Sequence, residues 1–595
     1  MLTINVLCAF AAAASAFPTT LPTQHTSPAK RQDGGSFIHV TGVEGAVGWR
    51  QEIFTLKSDA DAWNIYMLAL ERFKDMPASD PLSWYQIAGI HGQPYVAWDS
   101  VGPCDNCTLS GYCTHQSTLF PTWHRPYLAL FEQSLINNAY EVANEFEGAQ
   151  KDRYLNRASV LRMPFWDWAQ YPADENDYFP SLFRDEFITV TKPQGDVQIE
   201  NPLLRYHFKN DQDHSFIQGG GDVTWRNPTF NAANRAQLRS DTWAVLTSQV
   251  QYNAFSTQSL SAAWDNQNPY SIEALHDQVH INTGGQMGIV PQAAFDPFFW
   301  IHHAQVDHVF ALWQAAHPDV WVQPWSEVGS TTSYASGATE SASSDLTPFH
   351  SSTSGGFYSS DAVRNTETFT YLYADLASGD SAANIINRLY RDSQTPLSKR
   401  AAPPAGNMGD YINRGIGATS REEVSEYIAN VEVDSQAMEG SFTIYLFDGT
   451  FDESKPEQWH DEPNLIGAHG FFSSPKAMGD GSARVNAGVS LTGSLASKLK
   501  SGGLKDLSTD SVSAYLKEHI EWKIVKADGS VVDKDDVPGL QIAIMTSVVQ
   551  LPGAKGQIAR WGGFEALPDV TKGRKFGFDG EWKSHFHGHG HGRGH

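Results

Sequence analysis

Two well-separated groups of three histidines constrain this 595-residue chain more than any other feature. The first group lies in IAGIHGQPYVAW and YCTHQSTLFPTWHRPYLALFE and comprises His91, His115 and His124. The second lies in IEALHDQVH and FDPFFWIHHAQVDHVF and comprises His276, His280 and His303. Three converging imidazoles can hold one transition-metal ion, so a fold that unites both groups places two ions side by side. Such a fold must deliver the rings on rigid elements that face one another.

The local patterns supply those elements. His276 and His280 are four apart in SIEALHDQVH, which puts both rings on one helical face. His124 opens a stretch in which Tyr127, Leu128, Phe131 and Leu135 recur at helical spacing. Pro121 and Pro126 fit near the start of that helix, where a missing amide hydrogen costs little. His303 lies in the helical run FFWIHHAQVDHVFALWQ, His91 follows the apolar run WYQIAGI, and His115 sits in a loop rich in Cys, Gly and Thr. A four-helix bundle is the architecture that builds paired metal sites from facing helices. The donors are imidazoles. Paired zinc hydrolases and non-haem iron enzymes bring carboxylates into the ligand set, so two copper ions fit better. The competing reading, six unrelated histidines, does not account for their shared aromatic, helix-compatible surroundings.

These segments resemble the tyrosinases of filamentous fungi, members of the type-3 copper family that also contains catechol oxidases and haemocyanins. IAGIHG, CTH and FPTWHRPYLALFE match the copper A motifs. LHDQVH, and DPFFWIHH with the following Asp307, match copper B. The family uses the second histidine of the HH pair, which selects His303 over His302. Arg50 in GWRQEIF and FWDWA at Phe165–Ala169 also look like family positions, and the resemblance runs from about residue 36 to about 570. It implies a thioether between Cys113 and His115. It also implies that Glu273, one turn before His276, and Asp277 together hold a water that deprotonates a phenol. Strong monophenolases often carry Asn at the Asp277 position; a carboxylate there can instead orient an imidazole. Phe299 is placed as the gate over copper A, and Phe120 as packing. Ile281 offers no polar hook to a substrate carboxylate, which favours neutral phenols over large amino acids.

Composition sets the surroundings. A net charge of −25 argues against nucleic acid or anionic membrane as a partner. No internal stretch reaches the length of a membrane span. The first residues end an apolar run at Ala14-Ser15-Ala16, a signal-peptide pattern over 1–16. A propeptide over 17–31 then ends at Lys30-Arg31, so the expected product is secreted and extracellular, with processing after Arg31. Once Cys8 has left with the signal, three cysteines remain. Cys104 and Cys107 either form a disulfide or serve transiently in copper loading. Asn106-Cys107-Thr108 is a glycosylation sequon in the same loop, and a glycan at Asn106 competes with a tight disulfide for room.

The expected order is a mainly α catalytic domain over 32–391, a linker over 392–420, a small β-rich, sandwich-like domain over 421–570 and a His/Gly-rich tail over 571–595. Residues 329–356, rich in Ser, Thr and Gly, read as a flexible insertion. Residues 364–373 read as a returning strand with the Tyr371-x-Tyr373 pair, and a helix follows over about Ser381–Arg391. The linker holds Lys399-Arg400, a site for a kexin-type protease cutting after Arg400. SFTIYLFDG, ARVNAGVSLTG, EWKIVKAD and LQIAIMTSVVQ alternate as strands do. SFTIYLF with PNLIGAHGFF resembles the C-terminal domain of fungal pro-tyrosinases, which covers the copper site and inserts an aromatic. Tyr445, Phe447, Phe471 and Phe472 are all available for that insertion, while a permanent accessory domain that blocks nothing is the alternative. The tail either gathers copper or is simply solvated.

The resemblance implies a latent phenol oxidase. It would use O2 to hydroxylate monophenols to o-diphenols and to oxidise o-diphenols to o-quinones, with small phenols as partners. A catechol oxidase or o-aminophenol oxidase with little monophenolase activity is the near alternative, and a haemocyanin-like oxygen carrier the remote one. The sequence leaves the oligomeric state open.

Overall fold

Helical periodicity and strand alternation occupy different parts of the sequence, and they separate in the same way in space. The computed structural model describes residues 36–170, 177–260, 268–391, 423–474, 483–532 and 537–581. The signal peptide, the propeptide with Arg31, the linker with Arg400, and most of the His/Gly-rich tail lie outside the described residues.

The helical part contains α1 (Ile53–Ser58), α2 (Ala60–Lys74), α3 (Trp84–His91), α4 (Phe120–Asn144), α5 (Gly148–Val160), α6 (Ala232–Ser248), α7 (Tyr252–Ser256), α8 (Ile272–Thr283), α9 (Pro297–Ala316) and α10 (Ala382–Tyr390). Its strands are short: β1 (Gly48–Arg50), β2 (Phe187–Lys192), β3 (Gly195–Glu200), β4 (Trp325–Ser326), β5 (Thr339–Glu340), β6 (Asp345–His350), β7 (Phe357–Ser359) and β8 (Tyr371–Tyr373). Helices α3, α4, α8 and α9 form the bundle. The α8 helix starts at Ser271, whose side chain accepts the Ala274 amide hydrogen, and stops at Gly284, where φ is +66°. The α9 helix starts at Asp296, which accepts from the Phe298 amide, with Pro297 at its first position. Pro121 lies in the first turn of α4, but Pro126 lies inside the helix rather than at its start.

A buried ionic cluster ties the N-terminal strand to the bundle. Arg50 donates to Glu132 (3.1 Å) and to Asp307 (3.1 Å). Asp307 also accepts from Arg125 (2.8 Å), Tyr371 (2.5 Å) and Tyr373 (2.7 Å). Strand β1 pairs in parallel with β8, which brings Arg50 beside Tyr373. The opposite charges outweigh desolvation here: Asp307 is held below its ordinary range and Arg50 above it.

The C-terminal part contains β9 (Glu423–Asp434), β10 (Phe442–Asp448), β11 (Leu465–Phe471), β12 (Arg484–Ser490), β13 (Ile520–Lys526) and β14 (Gln541–Gln550). One sheet has the order β11-β10-β13; the other runs β12-β9-β14, extended by the short strands Arg560–Trp561 and Glu565–Ala566. Both parts contribute to one hydrophobic core, which includes Trp84, Phe131 and Trp300 of the bundle together with Tyr427, Ile428 and Ile544 of the sheets.

Four features differ from the sequence reading. Residues 329–356 are not a bare loop: they carry β5 and β6, and Leu346 and Phe349 are fully buried. Polar composition concealed those two apolar anchors, the second of which packs on Trp123 and Tyr127. The strand expected over 364–373 is only Tyr371–Tyr373, because a 3₁₀ turn over Thr366–Phe369 buries Phe369. The tail begins later than 571: Phe578 is buried and pairs its backbone with Ile542. Helices Thr492–Ser501 and Thr509–His519 flank the sheets, largely in a stretch to which the strand patterns assign nothing.

Candidate metal centre

His91 is the last residue of α3, His115 lies in the loop before α4, and His124 is in the first turns of α4. Helix α8 carries His276 and His280 one turn apart, and α9 carries His302 and His303. The ligand atoms of His91, Cys113, His115 and His124 all lie within 4.8 Å of one another, as do those of His276, His280, His302 and His303. The two groups abut. The rings of His124 and His303 stack at 4.4 Å, and those of His115 and His276 lie 5.5 Å apart.

Hydrogen bonds fix which nitrogen of several rings is free. Nδ1 of His124 donates to the Phe120 carbonyl (2.7 Å), and Nδ1 of His280 to the Met287 carbonyl (2.6 Å). Nδ1 of His276 faces Asp277 Oδ1 at 2.9 Å. Each contact leaves Nε2 with its lone pair available, the usual way an outer partner orients a metal-binding imidazole. In the second group Nε2 of His303 lies 3.2 Å from that of His276 and 3.3 Å from that of His280. His302 lies in the same group, stacked on His276 at 5.1 Å, with both of its ring nitrogens buried and without a hydrogen-bond partner. Both ring nitrogens of His91 and of His115 are buried without a hydrogen-bond partner. Buried polar atoms without partners are costly, and a bound cation would satisfy them. Burial holds all six imidazoles below their ordinary range, His115 to about 3 and His124 to about 4, so they are neutral, the form that ligates metal. Their residues fit a pair of copper ions on donor chemistry: imidazoles, with the Cys113 thiol beside them in the first group and no carboxylate in either.

The buried Cys113 is a free thiol with Sγ 3.4 Å from Nε2 of His124. Cys104 and Cys107 are joined in a disulfide with Cα atoms 5.0 Å apart, and Asn106 between them is exposed. The two carboxylates flanking the site are heavily engaged. Glu273 accepts from the amides of Gln116 (2.5 Å) and Gln258 (3.0 Å) and from the Thr257 hydroxyl (2.8 Å), with His115 Nδ1 at 3.6 Å. Asp277 Oδ2 accepts from Gln258 Nε2 (2.7 Å) and from the amide of Phe472 (3.1 Å). Burial pushes both carboxyls upward, and Glu273 raises Asp277 further.

Aromatic rings line the centre. Phe299 packs against His303 (4.1 Å) and His91 (5.0 Å). Phe120, read as packing, stands edge-on to His276 and tilted on His124. Of the four C-terminal aromatics, Phe472 alone touches the imidazoles among the described contacts: it stacks flat on His280 at 4.1 Å and lies edge-on to His115 and His276. Tyr445 and Phe447 pack on Trp459 instead, and Phe471 on Phe442. Ile281 is half-buried, directly beneath Gly470. Thr257, Gln258 and Gln278 escaped the sequence reading, since uncharged polar residues in irregular order carry no motif.

Comparison with known proteins agrees with this geometry. A family model described as the common central domain of tyrosinase matches residues 81–316, and one for the tyrosinase C-terminal domain matches residues 426–544. A tyrosinase of Podospora anserina is 30% identical over 72% of this chain and 86% of its own length. Polyphenol oxidase 2 of Agaricus bisporus is 34% identical over 69% and 78%. The solved structure of latent and active mushroom tyrosinase superposes with a TM-score of 0.75 at 26% identity, covering 90% of this chain and 99% of that one. The holo-protyrosinase of Aspergillus oryzae shares the fold with a TM-score of 0.65. Two abutting imidazole groups on a helical bundle, roofed by a β-rich part, are thus those of an oxidative enzyme, and the chain belongs to the tyrosinase family.

Proposed function

We propose that this protein is a secreted dicopper phenol oxidase, held latent by its own C-terminal domain. It hydroxylates monophenols to o-diphenols and oxidises o-diphenols to o-quinones. The observation that carries the reading is the position of Phe472, a flat ring on His280 between the two histidine groups. A phenol must occupy that place to reach both ions, so its present occupant accounts for latency. Copper bound by His91, His115 and His124 and by His276, His280 and His303 supplies the two-electron exchange between phenol and O2. The chain supplies position and proton handling. Phe299 and Phe120 exclude water, and Asp277 Oδ1 keeps the His276 ring aligned. Glu273 and Asp277 take the phenolic proton through a held water. Asp277 Oδ2 gains capacity for this once the Phe472 amide withdraws. A thioether between Cys113 and His115 would fix a ring that makes no hydrogen bond. Ile281 and Phe299 border the entrance and favour neutral phenols. The signal pattern over residues 1–16 supports secretion, and the dibasic pairs ending at Arg31 and Arg400 support activation by a kexin-type protease that cuts after each.

The test is oxygen uptake by copper-loaded protein cut after Arg400 and separated from its C-terminal part, with a monophenol and its matching diphenol side by side. Uptake with both, after a lag on the monophenol, is the expected result. Uptake with the diphenol alone would make it a catechol oxidase. Reversible oxygen binding without turnover would make it a carrier.

A further inference from the structure

Each sheet of the roof turns an edge strand towards the bundle, and an edge strand has backbone groups to satisfy. On β11 side chains meet them. Gln237 of α6 donates to the Ala468 carbonyl (3.0 Å) and accepts the Ala468 amide (3.2 Å). Gln278 of α8 accepts the Gly470 amide (2.8 Å), and Asp277 accepts the Phe472 amide (3.1 Å). On β12 the backbone of the helical part meets them. The chain leaves α7 extended at Thr257, and Ser259 forms an antiparallel bridge with Val485. The Leu260 amide donates to the Arg484 carbonyl (2.7 Å), and the Asn486 amide donates to the Gln258 carbonyl (3.1 Å). Residues 258–260 are therefore a short strand added to the roof. Their inner side holds the two carboxylates beside the metal centre. The Gln258 amide and the Thr257 hydroxyl donate to Glu273 Oε2 (3.0 and 2.8 Å), and Gln258 Nε2 donates to Asp277 Oδ2 (2.7 Å). Gln116, the other residue whose amide holds Glu273 (2.5 Å), also reaches the roof: its Oε1 accepts from the Ser435 hydroxyl (3.1 Å).

From this arrangement we infer that Gln258 is a positioning residue, through which the seating of β12 sets the places of Glu273 and Asp277. The inference rests on the proton handling proposed for those two carboxylates. It adds a second route, separate from the Phe472 ring, by which the roof acts on the site. The link is stiff because a peptide unit is planar. The Gln258 carbonyl and the Ser259 amide belong to one such plane. Its carbonyl end is held by Asn486 of the roof, and its amide end donates to the Thr257 hydroxyl (3.1 Å), which in turn donates to Glu273. When β12 leaves, the Gln258 carbonyl and the Leu260 amide lose their partners and the plane is free to turn. The Ser259 amide then swings off Thr257, and Gln258 shifts with it. Its side chain yields easily, since Nε2 is its one bonded end and Oε1 is buried without a partner. Asp277 Oδ2 and Glu273 Oε2 are thereby released together from the roof-bound segment.

The test uses Leu260→Pro in the full chain, which deletes the amide given to Arg484 and leaves every group that touches the carboxylates in place. Ser259 already lies in a β-bridge, the extended backbone that a residue before proline favours. The first measurement is amide hydrogen exchange on the metal-free protein. The Gln258 amide should exchange about ten-fold faster than in the wild type, roughly the worth of one hydrogen bond. The Gly470 amide, bonded to Gln278, should stay protected and so report that the roof is still seated. A Gln258 amide that keeps its protection under a seated roof would overturn the inference. Should Leu260→Pro not fold, Asn486→Pro makes the cut from the other side, at an edge-strand position whose amide points away from β9. The second measurement uses copper-loaded full chain in which Phe472→Ala has opened the site. It compares kcat on a monophenol with kcat on the matching diphenol, a quotient from which shared access cancels. Adding Leu260→Pro should raise the quotient about ten-fold. In a Gln258→Met background, where Asp277 is already free of the side chain, most of that rise should vanish. A quotient that does not rise, or that rises equally in that background, would overturn the role of Gln258. Diphenol oxidation missing from every variant removes the enzymatic reading alone, and hydrogen exchange then decides the inference.

Discussion

At the scale of single residues, Asp277 carries two tasks. Its Oδ1 faces His276, and its Oδ2 receives hydrogens from Gln258 and from Phe472. A carboxylate can accept from all three donors, whereas an asparagine has one acceptor oxygen and must turn its NH2 towards a donor. Asp277→Asn should therefore loosen the roof. The ratio of uncut to cut activity is expected to rise by about ten-fold, the worth of one buried hydrogen bond left unmade. Taking the ratio removes any effect of the substitution on chemistry, and an unchanged ratio would count against the anchoring role. Arg50 is a separate case. Arg50→Met leaves Glu132 and Asp307 buried with part of their compensation gone. The loss expected is about 3–5 kcal/mol, read as a lower denaturant midpoint with unchanged slope. The six histidines stand out of the sequence because imidazoles at ligand spacing are rare, whereas Glu273 and Asp277 are singled out only by the family resemblance. Phe472 could not be singled out from Tyr445, Phe447 and Phe471, since alternation says which residues share a face and not what that face meets. Gln237 and Gln278 had no signal at all, although the small residues at 467, 468 and 470 before an aromatic pair hint at a close approach.

Elements were easiest to read where one period governs a long run. Helices α4, α8 and α9 and strands β10, β12, β13 and β14 follow their patterns closely. The misread stretch, 329–356, failed because two apolar anchors do not make a period. Helix α8 matters most, as it holds two histidines, both roof anchors and the Glu273 carboxylate in three turns. Its first turn depends on Ser271, whose hydroxyl accepts the Ala274 amide at 3.1 Å. Ser271→Ala should cost about 1 kcal/mol of stability in the metal-free protein, measured by chemical denaturation. Ser271→Asp should restore most of it, because a carboxylate caps as well and suits the positive end of the helix. Loss without rescue would mean that the hydroxyl serves the neighbouring loop rather than the helix.

On the scale of the whole molecule, roof and bundle share one core, so cutting the linker does not by itself separate them. They are joined by the β11 anchors, and also by Trp561 donating to Thr247 (2.9 Å) and Asn231 donating to the His460 carbonyl (2.6 Å). One part of the joint is sensitive to pH. Asp241 of α6 and Glu426 of β9 lie on its two sides, near enough for the charge of Glu426 to act on Asp241 and for both to act on Tyr270. Burial, and for Asp241 also the charge of Glu426, push both carboxyls upward, Glu426 from 4.5 to about 7. Gln237 hydrogen-bonds Asp241, and Thr492 donates to Glu426 (2.6 Å), which offsets only part of the burial. The joined state therefore binds more protons than the separated one between those two values. The advantage from Glu426 is complete below about pH 4.5 and declines as pH rises towards about 7, and Asp241, also raised, acts in the same direction. Protein nicked after Arg400 should co-elute as one species at about pH 5 and release its roof at about pH 8, with phenol oxidation rising in step. The double variant Asp241→Asn, Glu426→Gln cannot ionise at either position, so its elution should lose this dependence. Release at the same pH with and without those carboxyls would place the switch elsewhere in the joint, and co-elution at both values would mean that the shared core outweighs two buried charges.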